Sequence, residues 1–196
     1  MTRNSRRSRT DPPGQRPSVV VIGVDPGTLV TGFGVVGYSG GTPRLLDCGT
    51  IRLAAHLPLA ARLQQIHSGL RTLIETHRPD EMAIESAFYG KNAQSALKLG
   101  HARGVSLLAA VQCNVPTAEY SPREVKKAVA GRGAATKEQV RFMVRSLLGL
   151  SELRMAYDTS DAVAIALCHL QRMKFPAARR TSWAAYVAAH PEKIRR

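Results

Sequence analysis

Residues Val19–Val24 read Val-Val-Val-Ile-Gly-Val, an apolar and largely β-branched run with no polar position in it. Side chains alternate between the faces of a strand, so a run of this kind is a buried strand. It ends abruptly at Asp25-Pro26-Gly27-Thr28, a turn sequence. Gly32–Tyr38 resumes as a glycine-spaced strand, and Leu45–Leu53 follows the turn Gly40-Gly41-Thr42-Pro43 as a third. Three strands so closely spaced predict antiparallel hairpins. The period then changes. Leu59, Leu63, Ile66, Leu70 and Leu73 form one face of an amphipathic helix that Pro79 ends. Glu81–Glu85 is a short strand, about Ala93–Val111 a helix of small residues with Gly100 and Gly104 four apart, and Thr117–Tyr120 a fifth strand. Ser121-Pro122-Arg123-Glu124 and Thr136-Lys137-Glu138-Gln139 are capping boxes that open two further helices. A last helix runs from near Asp158 to about Met173. Strands followed by helices that alternate with strands predict an α/β layered domain with a five-stranded mixed sheet flanked by helices.

The chain of 196 residues fits one domain with tails, and a hydrophobic fraction of 44% is ample for a core. The net charge of +14 is uneven: residues 1–17 carry +4 and residues 172–196 carry +6, leaving +4 for the body between them. We expect residues 1–17 to be a disordered basic tail, 18–173 the folded domain, and 174–196 a second basic tail. So basic a chain favours a polyanionic partner, nucleic acid first. No apolar run approaches the ~18–20 residues of a membrane span, and the arginines of the N-terminus precede no apolar stretch of the kind a secretory signal needs. Cys48, Cys113 and Cys168 lie in apolar surroundings with no Cys-x-x-Cys pair. They read as reduced, buried thiols in a cytoplasmic protein. His67 and His77 sit on a helical pattern as surface residues rather than ligands.

Four carboxylates stand where carboxylates are unexpected. Asp25 ends the first buried strand and Glu85 the fourth, while Asp158 and Asp161 open the last helix. Their i, i+3 spacing puts the two aspartates on one face. Ala162, Ile165 and Ala166 complete that face and must meet the sheet, so both aspartates point toward the strand ends, where open α/β sheets place their sites. Clustered carboxylates repel one another and take up protons unless a cation relieves them. Hard divalent ions do so, and two of them roughly 4 Å apart clamp a phosphodiester. A basic protein with an acidic centre is what a metal-dependent nuclease needs. Taken singly, Asp25 also reads as a turn residue and Asp158 as a helix N-cap.

With these residues in view the chain resembles the RuvC family of Holliday junction resolvases. The resemblance rests on Ile22-Gly23-Val24-Asp25-Pro26-Gly27, Thr31-Gly32-Phe33-Gly34-Val35, Ala83-Ile84-Glu85, the long block Lys91–Gly104, and Asp158-Thr159-Ser160-Asp161-Ala162-Val163-Ala164-Ile165-Ala166. It spans roughly Val19–Met173, and the Lys91–Gly104 block is its most specific part. It implies an RNase H-like fold, a homodimer, and Mg²⁺-dependent cleavage of four-way junction DNA, with two ions per site and Mn²⁺ able to substitute. It implies paired symmetric nicks in strands of like polarity that leave 5′-phosphates, in recombination and repair, beside a RuvA–RuvB branch-migration complex. The family's catalytic, metal-holding acids carry over onto Asp25, Glu85, Asp158 and Asp161, and its DNA contacts onto Phe88, Lys91, Lys126 and Lys137. The arginine-rich ends depart from the compact family pattern. The Thr159-Ser160 spacer between the last two acids is expected to be harmless.

Other readings compete with these. Phe88 beside Tyr89 also fits a core position, Lys126 and Lys137 a solvated helix surface, and Gly100 and Gly104 either tight packing on the sheet or close helix approach across a dimer. Asp25-Pro26-Gly27-Thr28 also fits the opening of an actin-like or sugar-kinase ATPase, but such enzymes need two domains and a second phosphate loop, which Gly131-Arg132-Gly133 does not provide. A non-catalytic DNA-binding module of the same fold, or a general RNase H, completes the alternatives.

Overall fold

The computed structural model describes residues 16–86, 93–150 and 155–173. Five strands, β1 (Val19–Asp25), β2 (Val30–Ser39), β3 (Thr42–Arg52), β4 (Glu81–Glu85) and β5 (Thr117–Tyr120), form one sheet in the order β3-β2-β1-β4-β5. β1 and β2, and β2 and β3, pair antiparallel, whereas β1 and β4, and β4 and β5, pair parallel. The mixed five-stranded sheet expected from the sequence is therefore present. Its second hairpin, between β2 and β3, is tighter than expected. Gly40 and Gly41 take φ of +57° and +92°, the positive values that a two-residue hairpin needs. Thr42 and Pro43 consequently join β3 rather than the turn, and Pro43 is accommodated because β3 is an edge strand.

Five helices cover the sheet: α1 (Leu59–His77), α2 (Ala93–Gln112), α3 (Pro122–Ala130), α4 (Lys137–Leu147) and α5 (Tyr157–Arg172). α1 stops one step before Pro79: Arg78 turns left-handed at φ 45° and its N–H bonds the Ile74 carbonyl. Both capping boxes form, Ser121 with Glu124 and Thr136 with Gln139. Alternation along the central strands builds two cores. Val20, Ile22, Val24, Met82 and Ile84 pack with Ile66, Leu70 and Ile74 of α1 and Ala102 and Ala109 of α2. Val21 and Ala83 point the other way, to α5, whose outer side is closed by Val125 and Val129 of α3 and Val140 and Val144 of α4. α5 is thus enclosed, and from Thr159 to Leu170 every residue except Asp161 is buried. Such burial requires a close approach to the sheet. A Cβ at Gly23 would lie 2.1 Å from the Ala162 carbonyl oxygen, and one at Gly32 would lie 2.1 Å from that of Asp158. Glycine at these two positions seats α5 directly on β1 and β2.

Among the described residues no helix is long and apolar enough to cross a membrane. Cys48, Cys113 and Cys168 are free thiols, but only Cys168 is buried as expected; Cys48 on the edge strand β3 and Cys113 just past the end of α2 are half-buried. His67 and His77 lie on α1 beside Gln112 and Asp47. Arg16, which the sequence places in the N-terminal tail, hydrogen-bonds the Arg78 carbonyl and Asp80. Residues 1–15 and 174–196 lie outside the described residues.

Candidate active site

Strand alternation decides which carboxylates share a face. Val21, Gly23 and Asp25 lie on the α5 side of β1, and Glu81, Ala83 and Glu85 on the α5 side of β4. Val24 pairs with Ile84 in the parallel register, so Asp25 and Glu85 emerge side by side at the ends of neighbouring strands. The N-terminus of α5 comes down over the same ends because Gly32, the antiparallel partner of Asp25, lets the backbone of Asp158 pass. Asp161, one turn further along α5, enters a cavity of about 310 Å³ lined by Asp25, Glu85, Pro122, Val125, Lys126, Lys137, Val140, Asp161 and Ile165. Asp158 stands beside this lining and still acts electrostatically on Asp25.

The charges are strongly coupled. Burial, and after it Glu85, Asp161 and Asp158, push the Asp25 carboxyl up to about 8, against a partial pull downward from Lys137. Glu85 is also raised, first by burial and then by Asp161; the hydrogen bond with Asp25 and the charges of Lys137 and Lys126 oppose the shift. In the hydrogen bond between them the Asp25 carboxyl is the donor and Glu85 accepts. Lys137 Nζ donates to Asp161 Oδ2 at 3.2 Å, and that carboxylate above all raises the lysine. Three of the four acids are thus paired, Asp25 with Glu85 and Asp161 with Lys137. Among the described residues no three His, Cys, Asp or Glu side chains are gathered at metal-ligand geometry. The donor set nevertheless fits a hard divalent ion: it consists of carboxylate oxygens, with Asp25 raised by burial first and then by the charges of its neighbours.

The structure brings the four acids together and places Lys126 and Lys137 beside them. Phe88 and Lys91 lie outside the described residues. The reading of Asp158 as an N-cap is not realised: Ala156 occupies that position, with no side-chain cap bond, and Asp158 belongs to the first turn. Tight packing of Gly100 and Gly104 on the sheet is not realised either, since a Cβ at either would meet nothing within 4 Å. Two features escaped the sequence reading. Tyr157 donates to Glu138 Oε1 at 3.0 Å and lies under the Arg141 guanidinium, 4.3 Å from the ring centroid. These contacts hold the start of α5 to the start of α4, next to Lys137. The second feature is a buried chain of Glu81, His169 and Tyr120 behind the acids. Both are tertiary contacts between residues that carry no local motif.

Comparison with known proteins agrees with this geometry. Residues 21–169 match the RuvC family, described as crossover junction endodeoxyribonuclease RuvC. The chain is 45% identical over 177 residues to that enzyme of Salinibacter ruber, covering 90% of this chain and 99% of the relative. It is 49% identical over 148 residues to that of Chloroflexus aggregans, covering 76% and 90%. Among solved structures, Thermus thermophilus RuvC in complex with a Holliday junction substrate superposes with a TM-score of 0.73 at 38% identity, over 78% of this chain and 93% of that one. The yeast mitochondrial Holliday junction resolvase shares the fold at 12% identity, with a TM-score of 0.57 over 91% of this chain and 86% of that one. The chain belongs to the RuvC family: it is a crossover junction endodeoxyribonuclease, a hydrolase that resolves Holliday junctions in DNA recombination and repair.

Proposed function

We propose that Asp25, Glu85, Asp158 and Asp161 hold Mg²⁺, two ions per site with Mn²⁺ able to substitute, and that Lys126 and Lys137 meet the phosphate at the cut. The observation that carries this reading is the set of four carboxylates at the ends of β1, β4 and α5, where burial and then the neighbouring charges push Asp25 up to about 8. Divalent ions there supply Lewis acidity, charge neutralisation and an activated water. Cleavage is hydrolytic: a water oxygen bonds to phosphorus as the bond from phosphorus to the 3′ oxygen breaks, leaving a 5′-phosphate and a 3′-hydroxyl. The protein's own share is to orient the strand. Lys137 and Lys126 enter the cavity from α4 and α3 with their charge directed at its acidic floor, where a phosphodiester would bridge between cations and lysines. Phe88 and Lys91 contact the junction centre, where stacking on an unpaired base is worth ~1–3 kcal/mol.

The working unit of this proposal is a homodimer that places one site on each of two strands of like polarity, cutting symmetrically. Its interface is the outer face of α2, where Leu97, Gly100, Gly104, Leu108 and Val111 share one side, with Leu97, Leu108 and Val111 exposed by 63%, 47% and 64%. The basic segments 1–17 and 174–196 add affinity for DNA of any structure. The enzyme acts in the cytoplasm, beside a RuvA–RuvB branch-migration complex. A synthetic four-way junction incubated with and without Mg²⁺ tests the reading: paired nicks with 5′-phosphate ends in Mg²⁺, and binding alone in chelator, are expected. Cleavage that persists in chelator would overturn the role given to the acids.

A further inference from the structure

The buried polar chain behind the acids has no part in the chemistry described so far. His169, 4% exposed, sits near the C-terminal end of α5. Its Nδ1 lies 2.7 Å from the Tyr120 hydroxyl and its Nε2 3.0 Å from Glu81 Oε2. One neutral tautomer satisfies both contacts: the tyrosine donates to Nδ1, and Nε2–H donates to Glu81. Burial lowers the histidine's affinity for a proton, in keeping with that neutral form. A buried polar side chain costs stability unless every atom is paired, so this chain fixes the relative position of three elements.

Two of those elements, β4 and α5, carry acids of the site, and the third, β5, leads directly into α3. Glu81 and Glu85 lie on the same face of β4, four residues and so ~13 Å apart. Asp161 and His169 lie along α5, eight residues and so ~12 Å apart. The spans match and the directions are opposed, so His169 meets Glu81 at one end of the seam while Asp161 meets Glu85 at the other. A slide of α5 by one residue would move Asp161 by ~1.5 Å and rotate it by about 100°. Tyr120 ties in the third element. Its carbonyl accepts from the N–H of Ser86, directly after Glu85, and it is followed by Ser121, which caps α3 and so aims Lys126. Arg172 stacks 5.2 Å from the Tyr120 ring and pairs with Glu124 of the same cap at 3.0 Å, closing the assembly from outside.

We propose that the Glu81–His169–Tyr120 chain is the register brace of the active site, setting the separation of Asp161 from Glu85 and Lys126. His169 and Tyr120 are then positioning residues for cleavage, a role that rests on the assignment of the four acids. The full-length protein is tested as His169→Leu, which breaks both contacts, Tyr120→Phe, which breaks one, and His169→Gln, which keeps a donor and an acceptor. Single-turnover cleavage of a four-way junction, junction affinity in chelator, and Mn²⁺ affinity by electron paramagnetic resonance are measured well below each variant's melting temperature. His169→Leu and Tyr120→Phe are expected to slow cleavage and to weaken Mn²⁺ binding by about tenfold or more, as misplacement of a preorganised site does. Junction affinity should stay unchanged, and His169→Gln should recover most of both losses. Tyr120→Phe, which keeps the packed ring, carries the test should His169→Leu not fold. Folded variants that cleave and bind Mn²⁺ like the wild type, or a His169→Gln protein no better than His169→Leu, would overturn the brace. Asp25→Asn run alongside separates the two claims: if it still cleaves, the acid assignment fails, whereas if it is inactive and His169→Leu is normal, only the brace fails.

Discussion

Helices α2 and α5 lie on opposite faces of the sheet, and they differ in how completely one chain covers them. α5 is enclosed by the sheet on one side and by α3 and α4 on the other, and only Asp161 breaks its burial between Thr159 and Leu170. α2 packs Ala102, Ala109 and Ala110 inward and leaves Leu97, Leu108 and Val111 in water. A carboxylate on a helix that is otherwise dry is costly and calls for a cation. Apolar side chains aligned on a helix that is otherwise wet call for a partner surface. The first anomaly marks the proposed chemistry and the second the proposed assembly, and they lie on opposite faces of one sheet.

The largest expected effect breaks the α5 side. Asp25→Asn and Glu85→Gln each remove a proposed metal ligand, and cleavage of a four-way junction should fall by at least about a thousandfold. Junction binding should be equal or tighter, because negative charge facing DNA has been removed. Gel-shift and cleavage assays on the same preparations check the division. Loss of binding in step with cleavage, in a folded protein, would mean that the acids also shape the DNA surface.

Next in size is the seat of α5. Gly23→Ala places a methyl group 2.1 Å from the Ala162 carbonyl oxygen, a backbone atom that cannot turn aside. The helix must lift, at a cost of about 2–3 kcal/mol, and denaturant unfolding should show it. Because the lift also moves Asp158 and Asp161, cleavage should fall further than the folded fraction does. Equal losses would show that the site tolerates movement of the helix.

A smaller effect follows from charge. In the unfolded chain Asp25 titrates near the ordinary aspartate value of 3.8, and in the folded protein its carboxyl is pushed up to about 8. Between those pH values the folded protein holds more protons than the unfolded chain, so stability contributed through Asp25 falls as pH rises from about 4 to about 8 in the absence of metal. Metal needs the ionised carboxylate and expels that proton. Mn²⁺ affinity should rise by about tenfold per pH unit from pH 6 to 8 and level off above, while metal-free thermal stability declines over the same interval. Calorimetry in buffers of differing ionisation enthalpy counts the released proton directly. A pH-independent affinity would show that the acids are already ionised.

Much of this was legible in the sequence because it depends on local rules. The apolar run of β1, the two capping boxes and the period of α1 each identify an element from adjacent residues. The acids stood out because Asp25 and Glu85 end strands whose other residues are apolar. What could not be read depends on which elements meet. Nothing near Tyr120 says that its hydroxyl faces a histidine 49 residues later, and nothing near Tyr157 points to Glu138. The hairpin at Gly40-Gly41 was placed correctly but drawn too long, since the positive φ of both glycines lets Thr42 and Pro43 pair.

The smallest effect tests the other side of the comparison and has opposite signs at two levels. Gly104 lies in mid-helix on the exposed face of α2, with open space where a Cβ would stand. Within a single protomer Gly104→Ala therefore gains helix propensity, about 1 kcal/mol, with no clash. Were this face open to water in the working enzyme, the variant would simply be more stable, with unchanged activity. If α2 packs against α2 of a second copy, the glycine is where the two backbones approach, and a methyl group there holds them apart. Unfolding measured at protein concentrations low enough to favour protomers should show the gain. Sedimentation at higher concentration should show weaker association. On a plasmid-borne cruciform the ratio of nicked circles to linear product should rise, because the two sites no longer act together. A stabilised Gly104→Ala protein that associates and resolves junctions like the wild type would move the interface off this face of α2, leaving Leu97, Leu108 and Val111 as an apolar surface for something other than a second copy.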